Sequence, residues 1–355
     1  MEKQIKKRVD YCDFLRFLAI LSVILIHVLG DMKDYFLQKN RTYYFILTAL
    51  DSITRAGVPL FFMFTGIFLL SSKKTTTYFD FIKKTFKKLI LPLIFASLIY
   101  YTYEVWTQKT SFSIVQFLLR LQSNQIKYHL WYLYSIIPIY LLLPFITVGI
   151  QKMNQKQLRN LIILLFILGN VPATISRICF YLNIPTLDSF TYPTLLIYLN
   201  YTFLGYYLYH YDIEKKYKKL FYILGIISLI CMPILDFLCI KETRWDPFLA
   251  PDIVFPFMFT IAVFLYVKEN YTKWNISPKL QTFFKSNAYL SLYIYLSHVM
   301  ILELLQKFIL SFFHPTRFIH YLSLVFLYFI GTYILSYIFS YVLHFIMSFK
   351  KKEAA

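Results

Sequence analysis

Charged residues are scarce in this sequence: they fill 15% of its 355 positions, against about 25% in soluble globular chains. A soluble fold is thereby excluded, because 58% of the chain is hydrophobic and its 37 Phe and 32 Tyr exceed what one compact core buries. Acidic residues are scarcer still, 18 Asp and Glu against 37 Lys and Arg, for a formal net charge of +19. In a soluble chain such an excess suggests nucleic acid. Here the basic residues fall in short loops between apolar runs, as expected of loops facing anionic lipid, and no stacking module or separate basic domain is present to bind nucleic acid. Cysteine is rare as well. Cys12, Cys179, Cys231 and Cys239 form no CxxC pair and no metal-type spacing, so neither a disulfide framework nor a metal site is expected. There is no Gly-rich phosphate loop, no serine or cysteine nucleophile motif, no internal repeat and no Gly/Ser linker. Residues 1–355 are therefore expected to form one integral-membrane domain.

Long apolar runs are what the sequence does have. A hydrocarbon core of about 30 Å takes roughly 20 helical residues to cross, and ten stretches qualify when bounded by their charged flanks: 11–30, 57–72, 89–106, 128–149, 160–178, 193–211, 219–240, 251–268, 288–312 and 319–349. The second is short unless the amphipathic stretch from Tyr43 to Arg55 leads into it. The expected fold is all-α, a polytopic membrane helical bundle of about ten transmembrane helices. An even count puts both termini on one side. With that side cytoplasmic, the inner segments carry 24 of the Lys and Arg residues and the outer ones 12, the bias that the positive-inside rule predicts. Lys3 to Arg8 followed by Phe17 to Leu29 has the outline of a secretory signal peptide, but no small-x-small cleavage site follows. The tyrosine excess reads as lipid-facing and interfacial filler.

Ionisable side chains at membrane depth are costly and mark functional candidates. Arg16 and His27 lie in the first span, His129 at the start of the fourth, Asp236 in the seventh, and His298 with Glu303 in the ninth. Arg16 and His27 are eleven residues apart, about three helical turns and ~16 Å of rise, so they share roughly one face and suggest a path across the membrane. Asp31, four residues beyond His27, has the spacing to fix the His27 tautomer, and an ordinary Asp of an outer-surface loop is an equally good reading. For His298 and Glu303, a buried polar pair holding helices together is as good a reading as a catalytic one.

Asp13-Phe-Leu-Arg16-Phe-Leu-Ala19-Ile-Leu-Ser-Val23-Ile-Leu-Ile-His27 resembles the opening signature of acyltransferase family 3, the integral-membrane O-acyltransferases that modify cell-envelope glycans. Arg55-Ala-Gly57-Val-Pro59-Leu-Phe-Phe-Met-Phe-Thr65-Gly66 resembles that family's second span, His129-Leu-Trp131-Tyr-Leu its fourth-helix motif, and Ser291-Leu-Tyr293-Ile-Tyr295-Leu-Ser-His298 its motif near the C-terminus. Where the family often has an arginine pair after the second span, this chain has Lys83-Lys84-Thr-Phe-Lys87-Lys88, which keeps charge without bidentate phosphate geometry. Where the branch with a secreted hydrolase-like domain carries a Glu after the fourth-helix Trp, this chain has Ile136, so the likeness is to the stand-alone branch.

The resemblance implies O-acyl transfer at the cell (plasma) membrane, acetyl-CoA or another acyl-CoA as donor, no metal, and a glycan or lipid-linked sugar as acceptor. His27 is then the general base, since an imidazole with an ordinary pKa near 6.5 suits neutral pH, with His129 and His298 as further catalytic candidates. Arg16 binds and orients the donor, whose phosphates stay near Lys84, Lys87 and Lys88. The alternative is a polysaccharide exporter without acyl-transfer activity; a solute transporter is less well supported, because its inverted repeats are not found.

Overall fold

The computed structural model describes residues 10–72, 77–185, 194–239 and 246–353, with the side chains of Thr194 and residues 347–353 left aside. The described residues form α-helices and π- or 3-10 turns joined by short loops, without strands. Among the described residues, eight helical stretches are long and apolar enough to cross a membrane: Asp10–Lys39, Arg41–Leu70, Tyr78–Gln108, Tyr128–Lys152, Gln155–Leu182, Lys215–Cys239, Pro278–Leu310 and Phe318–Ile346. Two more apolar helices, Thr194–His210 and Val254–Asn270, have 17 residues each, about 26 Å at 1.5 Å per residue. Together these match the ten expected stretches. Several begin earlier than their apolar runs because a polar first turn is capped. Ser277 accepts from the Leu280 amide (3.4 Å) ahead of Pro278, and Asn154 with Gln157 closes a capping box.

Numbered in chain order, the helices are α1 (Asp10–Lys39), α2 (Arg41–Ser52), α3 (Gly57–Thr65), α4 (Tyr78–Thr85), α5 (Leu91–Gln108), α6 (Ile114–Gln122), α7 (Trp131–Lys152), α8 (Gln155–Leu165), α9 (Val171–Leu182), α10 (Thr194–His210), α11 (Lys215–Cys239), α12 (Val254–Asn270), α13 (Pro278–Leu310) and α14 (Phe318–Glu353). The Tyr43 to Arg55 stretch does lead into the second span: α2, the short turn 53–56, α3 and a π-turn at Gly66–Leu70 make one crossing. A helix not foreseen, α6, sits between the third and fourth spans with Ile114, Val115, Leu118 and Leu119 exposed.

Helix α1 is central, packing on α2, α3, α12, α13 and α14. Leu15, Ala19, Ile20, Val23, Ile24 and Val28 are buried along it. Its approach to α3 is close enough that a Cβ at Gly57 would sit 2.7 Å from Ser22 Cβ. On the far side of α3, a Cβ at Gly66 or Gly205 would fall 1.8 Å from the Thr202 carbonyl or 2.2 Å from the Met63 carbonyl. The glycines of the second-span motif thus let backbones touch, the small-residue packing on which helices in lipid rely. Large apolar side chains such as Phe95, Ile226, Leu238 and Phe326 point outward.

The connections sort to two ends. One end joins Asp10 to Lys285 (3.5 Å), Ser71 to His210 (2.8 Å), Gln151 to the Leu70 carbonyl (2.6 Å) and Lys268 to Asp212 (3.0 Å). The other joins Gln306 to Asp31 (2.9 Å), Tyr321 to Tyr35 (2.8 Å), Lys127 to Glu303, and Arg177 to Asp252 (2.5 Å). The segments expected inside meet at the first end and those expected outside at the second. Lys3 to Arg8 and residues 73–76 lie outside the described residues.

Candidate functional site

Three of the candidate histidines meet. His27 comes from α1, His129 from the 3-10 turn Tyr128–Leu130 that opens the fourth span, and His298 from α13. Their ring centroids are 5.1 Å apart for His27 and His298, 5.3 Å for His129 and His298, and 6.2 Å for His27 and His129. His298 and His129 are buried, whereas His27 is only partly so. Tyr128 lies 5.2 Å from His27, and Tyr100 5.2 Å from His129.

Tyr295 organises two of the three. Its hydroxyl donates to the His129 carbonyl, and its own carbonyl accepts from His298 Nδ1 at 2.6 Å. A carbonyl oxygen only accepts, so Nδ1 carries the proton and Nε2 keeps a lone pair when the ring is neutral. That Nε2 and both ring nitrogens of His129 are buried without a partner. Buried polar atoms are normally bonded, and three orphans at one place mark a site poised for polar chemistry. Among the described residues no group of three or more His, Cys, Asp or Glu is arranged to hold a metal ion.

Arg16 lies on α1 about three turns from His27, towards the end that carries the first set of connections. Its guanidinium stands 4.4 Å from the Phe68 ring centroid and 5.1 Å from that of Phe64, with Tyr132 and Tyr140 of α7 nearby. Between Arg16 and the histidines runs a continuous aromatic seam: Tyr132 touches Phe61 (6.0 Å), Phe62 (5.0 Å) and Tyr295 (5.5 Å), and Tyr295 touches His129 (5.6 Å). Trp131 packs inside the bundle against Tyr198 at 5.8 Å.

The acidic neighbours expected beside His27 and His298 are engaged elsewhere. Asp31 is exposed and accepts from Gln306 at 2.9 Å, so it does not hold the His27 tautomer. Glu303 pairs with Lys127 rather than with His298. Lys84, Lys87 and Lys88 are exposed on α4 and the following π-turn, and no hydrogen bond or ion pair ties them to Arg16. Nor is tyrosine mere filler: Tyr44, Tyr201 and Tyr295 are buried, and each hydroxyl is hydrogen-bonded.

Sequence reasoning also missed a buried ion network beside the histidines. Lys33 pairs with Asp51 and, at 2.6 Å, with Asp246; Arg55 pairs with Asp51 and, at 3.6 Å, with Asp246. Lys33 and Asp51 are 2% and 0% exposed, which makes this an interior network. Tyr44 donates to Asp236 at 2.6 Å, so the Asp236 flagged in the seventh span belongs to the same region. The network anchors a non-helical segment, 246–253, whose Phe248, Leu249 and Ile253 are fully buried. Arg55 donates to the Leu249 carbonyl (3.4 Å), Arg177 to that of Pro247 (2.5 Å), Tyr201 to that of Pro251 (2.7 Å) and Asn170 to that of Asp252 (3.0 Å). Irregular backbone is tolerated at membrane depth only where protein satisfies it. The available signal was faint: Arg55 opens a motif, but Lys33 and Asp51 flank apolar runs as ordinary loop charges do.

The chain matches no curated protein and no solved structure. Residues 9–341, nearly its whole length, match the profile of acyltransferase family 3, described as an acyltransferase domain. The protein therefore belongs to acyltransferase family 3 and is a multi-pass membrane acyltransferase.

Proposed function

We propose that this protein transfers an acyl group, acetyl in our reading, from cytoplasmic acyl-CoA to a hydroxyl of a cell-surface or lipid-linked glycan at the plasma membrane. The observation that carries the reading is the meeting of His27, His129 and His298 from three separate helices, with Arg16 three turns away on the His27 helix. O-acyl transfer needs a base within reach of the acceptor hydroxyl, groups that stabilise the oxyanion, and a donor held in line. His27, partly exposed, removes the hydroxyl proton as the oxygen attacks the thioester carbonyl. The C–S bond breaks, the thiolate leaves, and His27 returns the proton to it. The ester and the CoA thiol are the products. His129, with both ring nitrogens unbonded, has a nitrogen free to donate to the developing oxyanion. Arg16 orients the donor along the aromatic seam, a distance of ~16 Å comparable to an extended pantetheine arm, while Lys84, Lys87 and Lys88 attract its phosphates.

Membrane vesicles that carry the protein and its endogenous glycan test this directly. Given radiolabelled acetyl-CoA on the donor side, they should form an alkali-labile glycan ester and release one thiol per ester. Thiol release without ester would leave only a hydrolase, and polymer movement without either would favour the exporter.

A further inference from the structure

Among the described residues, the base assigned above lacks the acidic partner that usually orients a catalytic imidazole. Asp31 is committed to Gln306 and Glu303 to Lys127, while Asp51 is held by Lys33 and Arg55. What faces His27 instead is His298, at 5.1 Å between ring centroids. Which ring nitrogen of a histidine carries the proton is set by the bond the other one makes. His298 has no freedom in this respect: its Nδ1–H is spent on the Tyr295 carbonyl at 2.6 Å, and its Nε2 is left buried, unpartnered and able only to accept.

We infer that His298 is the positioning residue of the reaction: its Nε2 accepts the N–H of His27, which fixes the His27 tautomer and turns the other His27 nitrogen, lone pair outward, to the acceptor hydroxyl. The inference rests on the proposed role of His27 as base. A neutral imidazole thus fills the place that a carboxylate fills in the serine-protease triad. It suits membrane depth, where an unpaired carboxylate is costly to bury. The hydrogen bond is open in the structure, as catalytic contacts often are before substrate binds, and His27, the one partly exposed ring of the three, is the one free to turn and close it. His129 is the poorer client of His298: it is buried and its backbone carbonyl is held by the Tyr295 hydroxyl, so its ring has less room to turn than that of His27. During transfer the hydroxyl proton moves to the outward nitrogen of His27 and from there to the departing thiolate. The proton shared with His298 stays on His27, so no further acid or base is needed.

The test compares His298→Asn with His298→Gln in membrane vesicles supplied with radiolabelled acetyl-CoA. The Gln amide oxygen reaches about as far as Nε2 and accepts in its place; the Asn amide stops at the level of Nδ1. The maximal rate should fall about 10²-fold or more in His298→Asn, the scale of an acid–base contribution, and recover in part in His298→Gln, with the Michaelis constant for acetyl-CoA unchanged in both. Gln is also nearer to His in size, so His298→Met, which fills similar space without an oxygen acceptor, separates a purely packing role: it should stay as slow as His298→Asn. Equal rates in the two variants, or wild-type rates in His298→Asn, would overturn the inference. His27→Ala run alongside separates the two claims: if it stays active, the base assignment itself fails, and if it is inactive while His298→Asn is normal, only the positioning role fails. Should neither variant insert, the wild-type protein with nitrogen-15 histidine decides by solid-state NMR, where a ring in the Nδ1–H tautomer is expected and its absence refutes the proposal.

Discussion

At the scale of single residues, His27 and Arg16 share a helix and divide the labour of the proposed reaction. His27→Gln should reach the membrane at normal levels, since a partly exposed imidazole contributes little packing, yet lose about 10²- to 10⁴-fold in ester formation. Arg16→Lys should instead raise the Michaelis constant for acyl-CoA before it lowers turnover. It keeps the charge but loses the planar guanidinium that lies against Phe64 and Phe68. Initial rates at varied donor concentration distinguish the two, and a His27→Gln protein with full activity would remove the base. Much of this site was legible in the sequence, because an arginine and three histidines interrupt runs where ionisable side chains are costly. Their mutual contact was not, because it joins positions 27, 129 and 298, and no local spacing encodes which rotamers converge. The same holds for Tyr295, part of a motif but without a role in it until its hydroxyl and carbonyl are seen to hold two histidines.

At the scale of elements, apolar run length set the helices well, and the charges at their ends were the blind spot. Lys33 and Asp51 flank apolar runs and Arg55 opens one, yet all three fold inward because α2 turns back against α1 and segment 246–253 closes over them. Removing one partner of a buried ion pair costs about 3–5 kcal/mol, because the survivor is left uncompensated. Asp51→Asn should therefore lower the midpoint of thermal unfolding in detergent, whereas Lys33→Met combined with Asp51→Leu should recover part of the loss. A midpoint unchanged in Asp51→Asn would mean that water reaches the network. The lysines of α4 and its π-turn make a contrasting case, being exposed and unpaired with Arg16. Changing Lys84, Lys87 and Lys88 together to Gln should leave stability unaltered and raise the Michaelis constant for acyl-CoA more than that for the glycan. The reverse ordering would exclude them from the donor site.

At the scale of the whole molecule, the two groups of connections fix which loops share an end, and the positive-inside rule predicts that the first of these ends faces the cytoplasm. Tyr78→Cys, at an exposed position of α4, should resist an impermeant thiol reagent added to intact cells and react once they are opened. Reaction from outside would invert the bundle and place the lysines away from any cytoplasmic donor. The claim on which everything else depends is that this membrane acyltransferase esterifies an envelope glycan. Mass spectrometry of envelope glycans from cells with the protein, without it, and with His27→Gln tests that claim most directly. The account predicts an alkali-labile acyl group, with the mass of acetyl, on glycans of the first cells only, at equal polymer yield in all three. The same ester in all three, or glycan lost from the surface with its ester intact, would contradict it.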